Sequence, residues 1–375
     1  MLMLPLSLYI HIPWCIRKCP YCDFNSHKSP DALPELAYVR ALLTDLEQDL
    51  NRFPKRELES VFIGGGTPSL FSAEAYRVLF AGLKGLLPCK DDIEVTLEAN
   101  PGAVDEARFS DYRALGINRL SLGIQSFHSQ HLQALGRIHD GRQAHQAIAC
   151  ARRAGFTNLN LDIMHGLPTQ SVEEGLEDLH QAMSYQPEHL SWYQLTIEPN
   201  TVFYKQRPIL PDDDTLGLLE EEGFALLEDH QFNRYEISAF CRHDKASRHN
   251  LNYWLFGDYL GIGAGAHGKL TTDAVYRTRK YRQPKDYLDE TKSFLAELLV
   301  PSSSELLFEF MLNTSRLQQS IPKGLLTERT GLKWDETAAL FQRAETKGLI
   351  TIAQESWQVT PLGRRFTNDL QSLFL

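Results

Sequence analysis

The chain has no uninterrupted apolar run near the ~20 residues that a bilayer-crossing helix needs, so no segment reads as a membrane span. Its start, MLMLPLSLYIHIP, lacks a basic stretch and a small-residue cleavage site, which predicts no secretory leader and a cytoplasmic location. Basic residues are in deficit: 38 Lys and Arg against 48 Asp and Glu give a formal net charge of −10. That balance argues against a nonspecific grip on a phosphate backbone, which needs a basic face, and nucleic acid is not expected as a partner. Cysteine is scarce, with six in 375 residues at irregular spacing. In a reducing compartment this disfavours a disulfide framework and directs the thiols towards metal or redox chemistry. No internal repeat or low-complexity tract stands out. What remains is an ordinary globular composition, 43% hydrophobic and 23% charged, long enough for a large core plus a second domain.

Short β-branched and aromatic runs alternate with amphipathic helical stretches through the first two hundred residues. The candidate strands are LSLYIHI (6–12), SVFIG (60–64), IEVTLEA (93–99), RLSLGIQ (119–125), LNLDIM (159–164) and LSWYQLT (190–196). Between them, Leu36, Val39, Leu43, Leu46 and Leu50 recur at helical steps, as do Leu176, Leu179 and Met183. This βα alternation predicts an α/β fold with a parallel sheet or barrel. Polar and glycine-rich motifs collect where each strand ends: the cysteine loop, GGGTP (64–68), EANPG (98–102), GIQSF (123–127), DIMHGLP (162–168) and TIEPNT (196–201). In βα barrels the working face is the carboxyl end of the strands. Six units are fewer than eight, so the expected architecture is a partial (β/α)6 barrel over residues 1–240, with one site on its rim.

Residues 241–300 are read as a glycine-rich strand and connecting region, and 301–375 as a smaller winged-helix-like α+β domain of helix, helix and hairpin. That last segment holds eight Lys or Arg against eight Asp or Glu, which favours a packing or ligand-covering role over DNA binding.

Three of the six cysteines, Cys15, Cys19 and Cys22, crowd into eight positions. Thiolates are soft ligands, and three in one loop can hold zinc or an iron–sulfur cluster. A structural zinc site needs a fourth ligand, for which His11, Asp23 and His27 are at hand. A four-iron cluster held by three cysteines instead leaves one iron open for a substrate or cofactor. Of the rim motifs, GGGTP taken alone is a tight turn, and a dinucleotide fingerprint is disfavoured because Ser69 stands where its third glycine belongs. Glu98, Gln125, Arg137 and Asp162 are each unremarkable singly, but together they offer acceptors for hydroxyls and an ammonium and a donor for a carboxylate.

The Cys-x3-Cys-x2-Cys spacing with Tyr21 before the last cysteine resembles the radical S-adenosylmethionine superfamily. The resemblance implies a 4Fe-4S cluster on the three cysteines, S-adenosylmethionine chelating the open iron, and a partial (β/α)6 barrel; the GGGTP turn would serve the methionine amino group. Over nearly the whole chain, YIHIPWC, GGGTP, NRLSLGIQSF, Gly136–Arg137, LDIMHGLP and LGIGAGA are similar to the oxygen-independent coproporphyrinogen III oxidase family. That family's pattern assigns S-adenosylmethionine contacts to Tyr9, Gly65, Gly66, Thr67, Glu98, Gln125, Arg137, Asp162 and Thr196, and puts Tyr21 near a cofactor.

Two departures separate the chain from the oxidase: Phe24 stands where a fourth cysteine is expected, and eight residues precede Tyr9 in place of a long substrate-binding segment. Both match the subgroup of heme chaperones, which carries an HNxxYW signature, here His249 to Trp254. The resemblance therefore implies heme as a third cofactor near His249, Tyr253 and Trp254, with His267 a weaker candidate ligand, since imidazole is a common axial ligand of heme iron. Cys89, Cys150 and Cys241 lack ligand spacing and read as structural thiols. Implied partners are heme and heme-accepting proteins, plus a flavodoxin- or ferredoxin-like electron donor where radical chemistry is used; peripheral membrane contact and a homodimer stay open. No catalytic residue is assigned, and the alternative function is oxidative decarboxylation of coproporphyrinogen III.

Overall fold

The six strand-forming runs pair side by side in the order of the chain: β1 (Leu6–Ile12), β2 (Leu58–Gly65), β3 (Cys89–Ala99), β4 (Arg119–Gln125), β5 (Leu159–His165) and β6 (His189–Gln194). All five pairings are parallel. This computed structural model describes residues 4–103 and 105–375. The sheet does not close on itself, as expected for a partial barrel. Beyond β6 lie two short antiparallel strands, β7 (Asn233–Arg234) and β8 (Ala239–Cys241). At the opposite edge β9 (Asp258–Ile262) runs parallel to β1, followed by antiparallel β10 (His267–Thr271), β11 (Val275–Lys280) and β12 (Leu295–Leu299). The glycine-rich region thus extends the same twelve-stranded sheet, and Leu260, Ile262, Ala264 and Leu270 join the barrel's main core.

Period-two alternation divides β1 between two environments. Leu6, Leu8, Ile10 and Ile12 are buried in the same core as Tyr38, Val39, Leu42 and Leu46 of the first helix. Ser7, Tyr9 and His11 belong to the other set, which is polar. Ser7 accepts a hydrogen bond from Ser60 of β2 (2.8 Å). Ser60 in turn meets His249 Nδ1 at 3.0 Å. His249 lies on the short helix Arg248–Trp254, whose N-terminus is held by Glu94 of β3. The Glu94 carboxylate accepts from the Ser247 hydroxyl (3.4 Å) and from the backbone N–H groups of Arg248 and His249 (both 3.2 Å). The HNxxYW segment is therefore packed against the inner strands by polar contacts.

The first helix, Glu35–Leu50, is rotated from the orientation its leucines suggest. Its buried face is Tyr38, Val39, Leu42, Asp45, Leu46 and Asp49, while Leu36 is 45% exposed. The cause is Lys280 at the end of β11, fully buried, which donates to Asp45 (2.5 Å) and Asp49 (2.8 Å). Asp45 also accepts from the Tyr287 hydroxyl (2.6 Å), and Tyr287 accepts from the backbone N–H of Gly263 (3.0 Å). A buried ion cluster, invisible to hydrophobic periodicity, ties this helix to the late strands.

From Ser303 onward a second core forms around Leu307, Phe310, Phe341, Trp357 and Phe374. It contains the expected helices Ser303–Thr314 and Trp334–Thr346 and a hairpin of Ile350–Ile352 with Ser356–Val359. Between the helices is an additional one, Lys323–Thr330, which begins after Pro322 and ends at Gly331 with φ 79°. Its weak amphipathic pattern hid it, although Pro before and Gly after are its boundary signals.

Replacing Lys280 by Met leaves two carboxylates buried without their cation. The expected loss is about 3–5 kcal/mol in urea unfolding, with partial recovery when Asp45→Asn and Asp49→Asn are added.

Candidate functional site

The cysteine loop leaves β1 at Ile12 and has almost no hydrophobic side chain of its own to bury beyond Trp14. Backbone bonds give it shape. Trp14–Cys15 pairs in parallel with His27–Lys28, with His27 N–H donating to Pro13 (2.7 Å) and Ser29 N–H to Cys15 (2.8 Å). Cys22 N–H closes a turn onto the Cys19 carbonyl at 3.1 Å. Gly66 N–H and Thr67 N–H then donate to Ile12 (2.7 Å) and Trp14 (2.8 Å), stitching the loop to GGGTP. All three thiols are free and partly buried. Burial raises the thiols of Cys15 and Cys22 above their usual range, opposed by the nearby hydroxyls of Thr67 and Ser26 and by the Phe24 backbone. Among the described residues no three His, Cys, Asp or Glu side chains converge tightly enough to hold one metal ion. Three soft thiolate donors on one loop, all lining one cavity, fit an iron–sulfur cluster.

The glycines of GGGTP have a packing reason. A Cβ on Gly66 would lie 2.5 Å from the Trp14 carbonyl oxygen, and one on Gly65, at φ 114°, would lie 2.5 Å from the His11 ring. Bare backbone is required here because the cysteine loop lies directly on it. His11 is itself fixed: its Nε2 donates to the Asn25 carbonyl (2.8 Å) and its Nδ1 accepts from Tyr9 (2.9 Å). Burial holds His11 neutral, at about 4. Asn25 extends the scaffold, its amide donating to the carbonyls of Ala264 (2.8 Å) and Arg282 (2.9 Å).

A cavity of about 480 Å³ lies above this loop, lined by all three cysteines and by Tyr21, Gly65, Gly66, Thr67, Glu98, Gln125, Arg137, Asp162 and Thr196. Glu98 accepts from Gly65 N–H (3.0 Å), yet burial and the neighbouring Asp162 charge push it up to about 8. Asp162 accepts from Ser121 (2.9 Å) and Asn160 (2.8 Å) and is raised by burial. Arg137 lies across the cavity, 3.6 Å from the Cys19 sulfur and 3.5 Å from the Tyr21 hydroxyl, and donates to Gly123 (2.9 Å). Its buried Nε has no partner among the described residues. Gln125 is held at φ 69°, a costly conformation for a residue with a side chain, and accepts from Tyr193 (2.8 Å). The cavity thus offers carboxylates for a cation, a guanidinium for a carboxylate, and three thiols.

Tyr9, Tyr253 and Trp254 lie elsewhere, on a second cavity of about 670 Å³ between the barrel and the C-terminal helices. The two cavities share Phe24, Gly65 and Glu98. His249 faces neither. It is 1% exposed, stacks on Phe62 at 5.1 Å, and has both ring nitrogens engaged, by Ser60 (3.0 Å) and the Tyr253 hydroxyl (3.0 Å). Burial keeps it neutral, at about 3.

Residues 9–182 match the Radical SAM superfamily, and residues 302–366 match the HemN C-terminal domain. The chain is 48% identical to heme chaperone HemW of Haemophilus influenzae and 46% identical to heme chaperone HemW of Escherichia coli K12, over 99% of this chain and 98% of each relative. The chain belongs to the HemW family. Coproporphyrinogen III oxidase (HemN) of Escherichia coli shares the fold, at a TM-score of 0.83 and 23% identity over 99% of this chain and 90% of that one. For a HemW-family chain, the residues that sequence reading overlooked are Tyr193, Asn160 and Asn25, the partners that orient Gln125, Asp162 and His11. Their signal was strand parity: Tyr193 and Asn160 each lie two positions, or an even step, from a cavity-facing neighbour on the same strand.

Glu98 carries the first prediction for ligand binding. Below about pH 8 its carboxyl holds a proton, and an incoming ammonium gains its full partner only once that proton leaves. A cationic ligand in this cavity, with S-adenosylmethionine as the probe, is therefore expected to bind more weakly as pH falls below 8, by up to about tenfold per unit. Glu98→Gln should weaken binding and flatten the profile, as read by calorimetry across pH 6–9.

Proposed function

We propose that this protein holds heme and passes it to heme-accepting proteins, on a core that carries a 4Fe-4S cluster and S-adenosylmethionine. The observation that carries the reading is near-full-length identity of 46–48% to proteins named heme chaperone HemW. The oxidase likeness, at 23% identity, concerns fold alone. Phe24, 61% exposed at the end of the cysteine loop, supports the same choice, because it replaces the fourth cysteine expected of the oxidase.

Cys15, Cys19 and Cys22 would hold the cluster, which with S-adenosylmethionine bound supplies one-electron cleavage of a sulfonium bond. The chain's own contribution is placement. The Gly65–Thr67 backbone and Glu98 face the position suited to an ammonium, Arg137 that suited to a carboxylate, and Asp162, Gln125 and Thr196 offer polar groups for hydroxyls. The Arg137 guanidinium stands between the Cys19 sulfur and the Tyr21 hydroxyl, tying the cysteine loop to the barrel rim. Tyr9, fixed on His11, stands on the far side of Gly65 and contributes to the second cavity's wall. No helix among the described residues is long and apolar enough to cross a membrane.

The test is paired. Heme-loaded protein mixed with a heme-free b-type cytochrome should lose its Soret absorbance as the acceptor gains its own. Cluster-reconstituted protein with reductant and S-adenosylmethionine should leave coproporphyrinogen III unconverted; turnover there, without transfer in the first assay, would replace this reading by the decarboxylase.

A further inference from the structure

The second cavity combines chemistry that the cluster site does not use. One side is aromatic, with Tyr9, Tyr253, Trp254 and Tyr259 among its lining residues. The other is cationic, with Lys269, Arg277, Arg279 and Arg282. Among the described residues, the shared Glu98 is the only acidic one lining it. The cations differ in availability. Lys269 is spent on Asp258 at 3.0 Å, and Arg277 on Glu309 and the Tyr259 hydroxyl. Among the described residues Arg279 has only an exposed pairing with Glu297 at 3.1 Å, the kind worth little in water. Arg282 is exposed and has no carboxylate partner among the described residues. Two guanidiniums thus remain on the cationic side of a cavity whose other side is aromatic.

The histidines sort in the same way. His11 and His249 each have both ring nitrogens engaged. His267, at the start of β10, lines the cavity, is exposed to it, and has no hydrogen bond to its ring among the described residues. Burial and the three nearby arginines lower its proton affinity, keeping the imidazole neutral and able to ligate. A planar macrocycle with a central metal and carboxylates on one edge needs this set: an apolar slot, free cations at one edge and an unoccupied neutral imidazole. The volume, about 670 Å³, falls in the range of small-molecule and cofactor sites.

We propose that this cavity is the metalloporphyrin site, with His267 as the axial ligand, Arg279 and Arg282 binding the two carboxylates, and His249 acting as a strut that positions Tyr253. The assignment rests on the heme-handling reading above and moves the ligand from His249 of the HNxxYW signature to His267. It also places the macrocycle against Phe24, Gly65 and Glu98, the wall shared with the cluster cavity.

The experiment is an anaerobic titration of full-length, cluster-reconstituted protein with ferric heme, followed at the Soret band. His267→Ala should shift the Soret maximum and weaken binding about tenfold or more, and added imidazole should restore the wild-type spectrum. Arg279→Gln with Arg282→Gln should weaken heme by about tenfold while leaving the affinity for the porphyrin's dimethyl ester unchanged. His249→Ala should lower thermal stability and leave the Soret position of the folded fraction in place. An unchanged spectrum and affinity in His267→Ala overturns the ligand assignment even where wild type binds heme. Failure of wild type to bind heme at all removes the heme-handling reading and this one with it.

Discussion

The loop bearing Cys15, Cys19 and Cys22 has little core to fold around, so its geometry depends on the backbone it touches. Gly66 and Thr67 donate to Ile12 and Trp14, while Asn25 donates to Ala264 and Arg282. The first pair fixes the loop to the end of β2, and the second fixes it to the turn between β9 and β10 and to the segment after β11. A thiol trio on a free loop would sample many separations; here the loop is fastened on both flanks of β1, to the end of β2 and to the turn after β9. The glycines follow from that arrangement, because any side chain on Gly65 or Gly66 would meet His11 or Trp14 at 2.5 Å.

Polar residues inside the partial barrel are the second consequence of the architecture. A closed eight-stranded barrel fills its interior with branched apolar side chains. This sheet leaves its interior to Ser7, Ser60, Glu94, Asn160 and His189, each buried and hydrogen-bonded. The short helix from Arg248 joins the network, using Glu94 as acceptor for its first N–H groups and His249 to bridge Ser60 and Tyr253. A buried polar network of this type specifies one arrangement, since each unpartnered member would cost about 1–3 kcal/mol. The HNxxYW signature thereby acquires a structural account that needs no ligand on its histidine.

Much of this was legible along the chain, for reasons that can be named. The six strands were visible because β-branched and aromatic runs recur between helical periods, and a shared working rim could be inferred because motifs accumulated at their carboxyl ends. Glu98, Gln125, Arg137 and Asp162 converge because parallel strands put successive ends on one rim. Three things were hidden. The rotation of the first helix depends on Lys280, more than 200 residues away in sequence, and periodicity reports only local pattern. The extension of the sheet by β9 to β12 depends on β9 pairing with β1, a contact between the chain's beginning and its last third. His249 carried a ligand signal because a histidine in a signature is read by type, whereas its two hydrogen bonds exist only after the helix docks.

The wall shared by the two cavities gives the charge of Glu98 a double consequence. Without a cation beside it, Glu98 is held largely protonated at neutral pH by burial and by Asp162. In that state it adds no negative charge to the second cavity, whose rim is cationic. An ionised Glu98 would oppose an anionic guest there, unless an ammonium in the first cavity neutralised it at the same time. Binding free energies on the two sides of one carboxylate are reciprocal, so an effect of the first ligand on the second must be matched by an equal effect of the second on the first. Glu98, held at 3.0 Å by Gly65 N–H, is thus the one acidic group that both cavities touch among the described residues, and its charge is the quantity through which an occupant of one could be felt in the other.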